Sequence, residues 1–149
     1  MSEKVRLAEL EPLIREVIGA GGEFTLRTHG VSMLPILSDG KDSVVLTSLP
    51  QKIRKGDVIL YKKENGQYVL HRVVGVRADG YVTRGDNQTV NEYGVKHESV
   101  IAIVKAYIKD SKRIAVTDKK HRVYVHTLGI RCFAKRFRAF LSKVKNKLV

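Results

Sequence analysis

Between Glu23 and Thr117 the chain breaks into short β-rich runs, and this pattern limits the folds open to it more than any other feature. The runs fall at 23–28, 43–47, 57–62, 68–77, 81–84, 100–108 and 113–117. Turn signals stand between them, at Ser38-Asp39-Gly40, Lys55-Gly56-Asp57, Glu64-Asn65-Gly66 and Asp79-Gly80. Strands this short and this closely spaced argue for a mainly β, mostly antiparallel and partly closed domain.

Both flanks change period. Leu7, Leu10, Leu13, Ile14, Val17 and Ile18 recur at helical spacing and predict an amphipathic helix over 3–19. Gly19-Ala20-Gly21-Gly22 ends it, because glycine tolerates the left-handed conformation found at helix ends. Near the C-terminus, Ile130, Phe133, Phe137, Phe140, Leu141, Val144 and Leu148 keep a helical period, with Arg131, Lys135, Arg136, Arg138, Lys143 and Lys145 on the remaining faces. The chain thus divides into an N-terminal helix (1–22), a β domain (23–118) and a basic amphipathic helix (119–149).

Charge follows the same division. Residues 1–104 carry 14 Lys/Arg and 13 Asp/Glu, whereas residues 105–149 carry 14 Lys/Arg against Asp110 and Asp118 alone. Basicity therefore belongs to the tail and explains nothing about a site in the β domain. Basic amphipathic helices lie at membrane interfaces, so residues 130–148 are expected to meet an anionic membrane surface. The competing expectation is an apolar stripe packed on the domain. Nucleic acid is disfavoured, since no recognised nucleic-acid motif accompanies the helix. No apolar run approaches the roughly 18 residues that a membrane span requires. The first residues, Met1-Ser2-Glu3-Lys4-Val5-Arg6, lack the layout of a secretory signal, and the single cysteine, Cys132, cannot form an internal disulfide. A cytoplasmic protein, peripheral on the membrane at most, is expected.

Three motifs carry chemistry. Gly30-Val31-Ser32-Met33-Leu34-Pro35 sets a hydroxyl in a turn bounded by glycine and proline, which exposes Ser32 and leaves its backbone N–H facing outward. Gly30, Val31, Met33 and Pro35 would border a bound substrate, with Met33 and Leu34 anchoring the turn on the core. Tyr68-Val69-Leu70-His71-Arg72-Val73-Val74 sets a histidine in an apolar strand. Such a histidine titrates near neutrality, so it can take a serine proton and return it to a leaving amine. Gly85-Asp86-Asn87-Gln88-Thr89-Val90-Asn91-Glu92 offers carboxylates that can orient the imidazole. His29, His97, His121 and His126 have no comparable setting and no metal-ligand spacing, and no metal or cofactor is expected.

These motifs, in this order and with Lys55-Gly56-Asp57-Val58 between them, resemble the signal-peptidase superfamily of serine peptidases over about half the chain, residues 28–104. They are most similar to its Ser/His branch, in which histidine replaces the lysine base. The resemblance implies a signal-peptidase-like fold, with Ser32 as nucleophile and His71 as general base, acting on a peptide or protein substrate such as a leader or signal-like segment. The family's acidic pair falls on Asn91 and Glu92, so its first member is not a carboxylate here, and the expectation is either a Ser32/His71 dyad or a triad completed by Glu92 or Asp86. Some relatives place a hydroxyl two residues before the nucleophile to help hold the oxyanion. Here that position is Gly30, which leaves backbone N–H groups for the task. Signal peptidases proper are anchored by transmembrane helices, and this chain shows no such segment, so it resembles a compact, anchorless relative. Two other readings stand beside a serine endopeptidase. One is a self-cleaving regulator like the superfamily's repressors, cut at Ala20-Gly21. The other is an inactive β module recruited to a surface by its tail.

Overall fold

The computed structural model describes residues 3–148, with side chains for residues 7–146. The layout expected of Met1–Arg6 and the place of Leu148 on the apolar stripe therefore lie outside the described side chains. Helix α1 spans Glu3–Gly19. Eight strands follow: β1 (Phe24–Arg27), β2 (Ser43–Thr47), β3 (Val58–Lys62), β4 (Tyr68–Arg77), β5 (Gly80–Arg84), β6 (Glu92–Val95), β7 (Val100–Lys109) and β8 (Lys112–Ala115). Helix α2 spans Lys119–Leu148. The architecture is a mainly antiparallel β-sheet flanked by an N-terminal and a C-terminal helix, the class read from the short runs.

The strands pair in the order β1-β2-β7-β3-β4-β5-β6, every pair antiparallel, with β8 beside the end of β7. Successive side chains of a strand point to opposite faces, so a sheet covered on both sides reads as continuous apolar runs. β3 shows this: Val58 and Leu60 enter one core cluster while Ile59 and Tyr61 enter another. The first cluster lies under α1, which buries Ile14 and Ile18 against Val44, Leu46, Leu60 and Val104. Met33 and Leu37 join it, so the segment carrying Ser32 is fastened to the main core. Leu13, at an expected apolar position of α1, is exposed instead.

Strand β6 has no counterpart among the expected runs. Its sequence, Glu92-Tyr93-Gly94-Val95, carries a glycine at φ +74° and reads locally as a turn. Pairing with β5 overrides that tendency: Tyr81 lies opposite Val95 and Thr83 opposite Glu92. The basic helix begins at Lys119 and behaves differently along its length. Its first half packs on the sheet through His121 and Leu128, both buried, whereas Ile130, Phe133, Phe137, Phe140, Leu141 and Val144 are exposed.

Candidate active site

Ser32 sits in a run of turns after β1. Gly30, at φ +91°, takes a conformation that a side chain would strain, and its N–H donates to Asp39 Oδ1 at 2.8 Å. The Leu34 N–H donates to the Val31 carbonyl and the Leu37 N–H to the Met33 carbonyl. Lys109, at the end of β7, braces the far side of the turn: its Nζ donates to the carbonyl of Ile36 at 2.8 Å and pairs with buried Asp42 at 3.1 Å. The Ser32 N–H makes no hydrogen bond among the described residues and is available to a substrate oxygen.

His71 lies opposite Ile59 in the β3–β4 pair. Val73 lies opposite Thr83, and Thr83 opposite Glu92, so register alone brings His71, Thr83 and Glu92 to one face of the sheet. His71 is buried, and its Nδ1 stands 3.9 Å from Glu92 Oε2 with no hydrogen-bond partner among the described residues. Burial pushes the imidazole below its ordinary pKa, Glu92 and Asp86 oppose that shift, and the Lys63 ammonium adds to it. A free imidazole at neutral pH results.

Glu92 is held from two sides. Tyr61 Oη donates to its Oε2 at 2.5 Å, and Lys63 forms an ion pair with its Oε1. Burial would raise the Glu92 carboxyl, but Lys63, Tyr61 and His71 together leave it lowered, so Glu92 is ionised. The Tyr61 proton goes to the carboxylate, so Thr83 Oγ1 must donate to Tyr61 Oη in their 2.9 Å bond. Thr83 is fully buried, a polar group at an inward position of an apolar strand, and of this network the sequence singled out Glu92 alone. Nothing local in the sequence marks Lys63 or Tyr61 as partners of an acid some thirty residues away.

Asp86 serves another purpose. Arg72 grips both its carboxylate oxygens, Nε to Oδ1 at 2.8 Å and Nη2 to Oδ2 at 2.7 Å, and donates through Nη1 to the Gly56 carbonyl. Tyr124 of α2 adds a hydrogen bond to Oδ2 at 3.0 Å. The two side chains of this ion pair are 3% and 2% exposed. Asp86 is thus committed to Arg72, and of the two expected acids only Glu92 faces His71 across a short gap. The residues either side of Asp86 clamp the serine turn. Asn87 donates from its backbone to the Ser32 carbonyl at 2.8 Å and from its side chain to the Val31 carbonyl at 3.1 Å.

Gly85 is pressed against the same turn: a Cβ there would lie 2.5 Å from the Ser32 carbonyl oxygen. Since the obstacle is backbone, Gly85→Ala must displace the turn. Small displacements of a reacting group cost about 100-fold in rate, so this variant is expected to lose about that much reactivity at Ser32 while keeping its β-sheet circular dichroism. Unchanged reactivity would mean that the clamp does not position Ser32.

Ser32 and His71 line one cleft of about 710 Å³, together with Lys63, Gln88 and an apolar floor that includes Leu10, Phe24, Leu26, Leu60 and Leu70. No hydrogen bond joins Ser32 Oγ to His71 among the described residues. Of the expected substrate contacts, Gly30 and Met33 line the cleft, Met33 mostly from within the core. Exposed Val31 and Pro35 lie outside the lining. The Ala20–Gly21 bond, weighed as a self-cleavage point, belongs to the end of α1, where the Ala20, Gly21 and Gly22 N–H groups bond to the carbonyls of Glu16, Ile18 and Val17. No protein-family model, curated protein or solved structure matches the chain.

Proposed function

We propose that the chain is a serine endopeptidase in which Ser32 is the nucleophile, His71 the general base and Glu92 the acid that orients the imidazole. The observation that carries this reading is the shared cleft of Ser32 and His71, with an ionised Glu92 standing 3.9 Å behind His71 Nδ1. A serine hydroxyl becomes a competent nucleophile when a neighbouring base takes its proton as it attacks. With Nδ1–H turned to Glu92, His71 Nε2 is the acceptor, and the gap to Glu92 closes on imidazolium formation, as catalytic contacts commonly tighten only in the reacting complex.

The step sequence follows. Ser32 Oγ bonds to the scissile carbonyl carbon and His71 Nε2 takes the hydroxyl proton. The oxygen that gains charge is met by the Ser32 N–H. The C–N bond then breaks as His71 returns the proton to the leaving amine, and water hydrolyses the acyl-enzyme by the reverse use of the same base. The substrate would run extended beside β1, an edge strand whose Phe24–Arg27 segment borders the cleft, and would add to the sheet there. This is the chemistry implied by the likeness to Ser/His signal peptidases. The reading keeps the chain in the cytoplasm and assigns it no span; no helix among the described residues is long and apolar enough to cross a membrane.

The test is labelling of the intact protein by a fluorophosphonate, with the adduct mapped by mass spectrometry. An adduct on Ser32 is expected, and a folded protein that takes none would remove the peptidase reading. The labelling rate should also report on His71. Because burial lowers the imidazole pKa, the rate should hold to a pH below the ordinary histidine value of about 6.5 before it falls. Lys63 lowers that pKa further, so Lys63→Met should move the fall to higher pH. A fall at or above 6.5 in the wild type, or one that Lys63→Met leaves in place, contradicts the assigned base.

A further inference from the structure

Helix α2 presents two opposed faces. On one, His121, Tyr124, Leu128 and Lys135 meet the domain: His121 and Leu128 are buried, Tyr124 donates to Asp86, and Lys135 Nζ donates to Asn87 Oδ1 at 2.6 Å. On the other lie Ile130, Phe133, Phe137, Phe140, Leu141 and Val144. At 3.6 residues per turn these six fall within an arc of about 100°, centred nearly opposite the docked side chains. Their exposure is therefore built into the helix's orientation; Ile130 and Phe133 are each 71% exposed. Charged side chains border the arc. The same spacing sets Arg131, Arg138 and Lys145 along one edge and Arg136 and Lys143 along the other, all exposed. Residues 119–149 hold ten Lys/Arg and no Asp or Glu.

We propose that the distal half of α2 is a membrane-surface helix that lays this stripe into a bilayer rich in anionic headgroups. An apolar arc edged by cations on both sides matches such an interface in shape and sign. The phenyl rings enter the acyl boundary while the long basic side chains reach back to the phosphates. A second copy fits poorly, since stripe-to-stripe pairing would bring two helices of ten positive charges together with no acid between them. Held this way, Asn87 and the Ser32 turn that it clamps stand one helix diameter, ~10 Å, from the embedded face. The inference does not require Ser32 to be reactive.

The experiment is sedimentation of the full chain with sucrose-loaded vesicles, either pure phosphatidylcholine or equal parts phosphatidylcholine and phosphatidylglycerol. Binding to the phosphatidylglycerol vesicles, little to the neutral ones, and weakening in high salt are expected. The variant Phe133→Ser/Phe137→Ser/Phe140→Ser should bind the anionic vesicles about tenfold less tightly or worse. Because the three rings are exposed, its thermal unfolding should match the wild type, which keeps loss of binding separate from loss of fold. Absence of binding to either vesicle overturns the proposal, as does a triple variant that binds like the wild type. So does a wild-type dimer that the triple variant dissolves, or an oligonucleotide that outcompetes anionic vesicles for the stripe. Fluorophosphonate labelling in free solution reads Ser32 without lipid, so either proposal can fail alone.

Discussion

His71→Ala is expected to slow phosphonylation of Ser32 by a fluorophosphonate by about a millionfold, to the limit of detection, and Glu92→Gln by about ten-thousandfold. The unequal losses follow from unequal roles. Without His71 the hydroxyl proton loses the acceptor assigned to it; Lys63, which also lines the cleft, is engaged with Glu92, and His29, in the same lining, has its Nδ1 3.6 Å from Asp39 Oδ1. Without the Glu92 charge the imidazole remains, but the imidazolium formed in the transition state loses the carboxylate 3.9 Å from Nδ1, and the favoured tautomer is no longer specified.

The measurement is the second-order rate constant for fluorophosphonate labelling of each variant, alongside urea unfolding to show that the fold is retained. Asp86→Asn supplies the contrast. If Asp86 were the orienting acid, its loss would act on rate in the manner of Glu92→Gln, with little change in stability. The Arg72 pairing predicts the reverse order: a large loss of stability for Asp86→Asn and a small one for Glu92→Gln, which is partly exposed and touches Lys63 at the surface. A Glu92→Gln protein that labels at the wild-type rate would leave His71 as a base without an orienting acid.

How far this arrangement could be read from the chain depends on the distance over which each part is specified. Strand positions were legible because alternation, turn residues and β-branched content are local: the ends of β2 and β4 coincide with the expected runs, and those of β3 and β7 differ by one residue. β6 was not, because Asn91-Glu92-Tyr93-Gly94 carries turn chemistry and becomes a strand only through its pairing with β5. The same gap hid the acid network. Glu92 was named as a candidate, but its hold through Tyr61, Thr83 and Lys63 arises from register across three strand pairs, which no local pattern encodes. Asp86 was ambiguous for a related reason: a Gly-Asp-Asn turn looks the same whether its carboxylate orients a histidine or neutralises an arginine. On α2 the periodicity was plain, but which face met the domain was not. That was decided by Tyr124 and Lys135 finding Asp86 and Asn87.

Arg72→Met should destabilise the fold by about 3–5 kcal/mol, because it strands a buried carboxylate. The Asp86 side chain is 2% exposed and accepts two hydrogen bonds from Arg72, which among the described residues leaves Tyr124 Oη as its one side-chain donor when the guanidinium is gone. A loss of that size is a large fraction of the roughly 5–15 kcal/mol that holds a domain together. The double variant Arg72→Met/Asp86→Leu removes both charges and should recover most of the loss, since apolar groups can replace a buried ion pair nearly neutrally. Urea unfolding of the three proteins measures both effects. A single-variant loss below about 1 kcal/mol would mean that the pair is hydrated in solution, as exposed ion pairs are. The recovery has a functional edge. The double variant regains stability without regaining the link from Arg72 through Asp86 to Gly85 and Asn87, so Ser32 labelling should stay slow while unfolding returns toward the wild type. His71 and Arg72 are neighbours on β4 that point to opposite faces. One presents the base to the cleft and the other ties down the loop that holds the nucleophile, so the dipeptide sets both halves of the proposed reaction from a single strand.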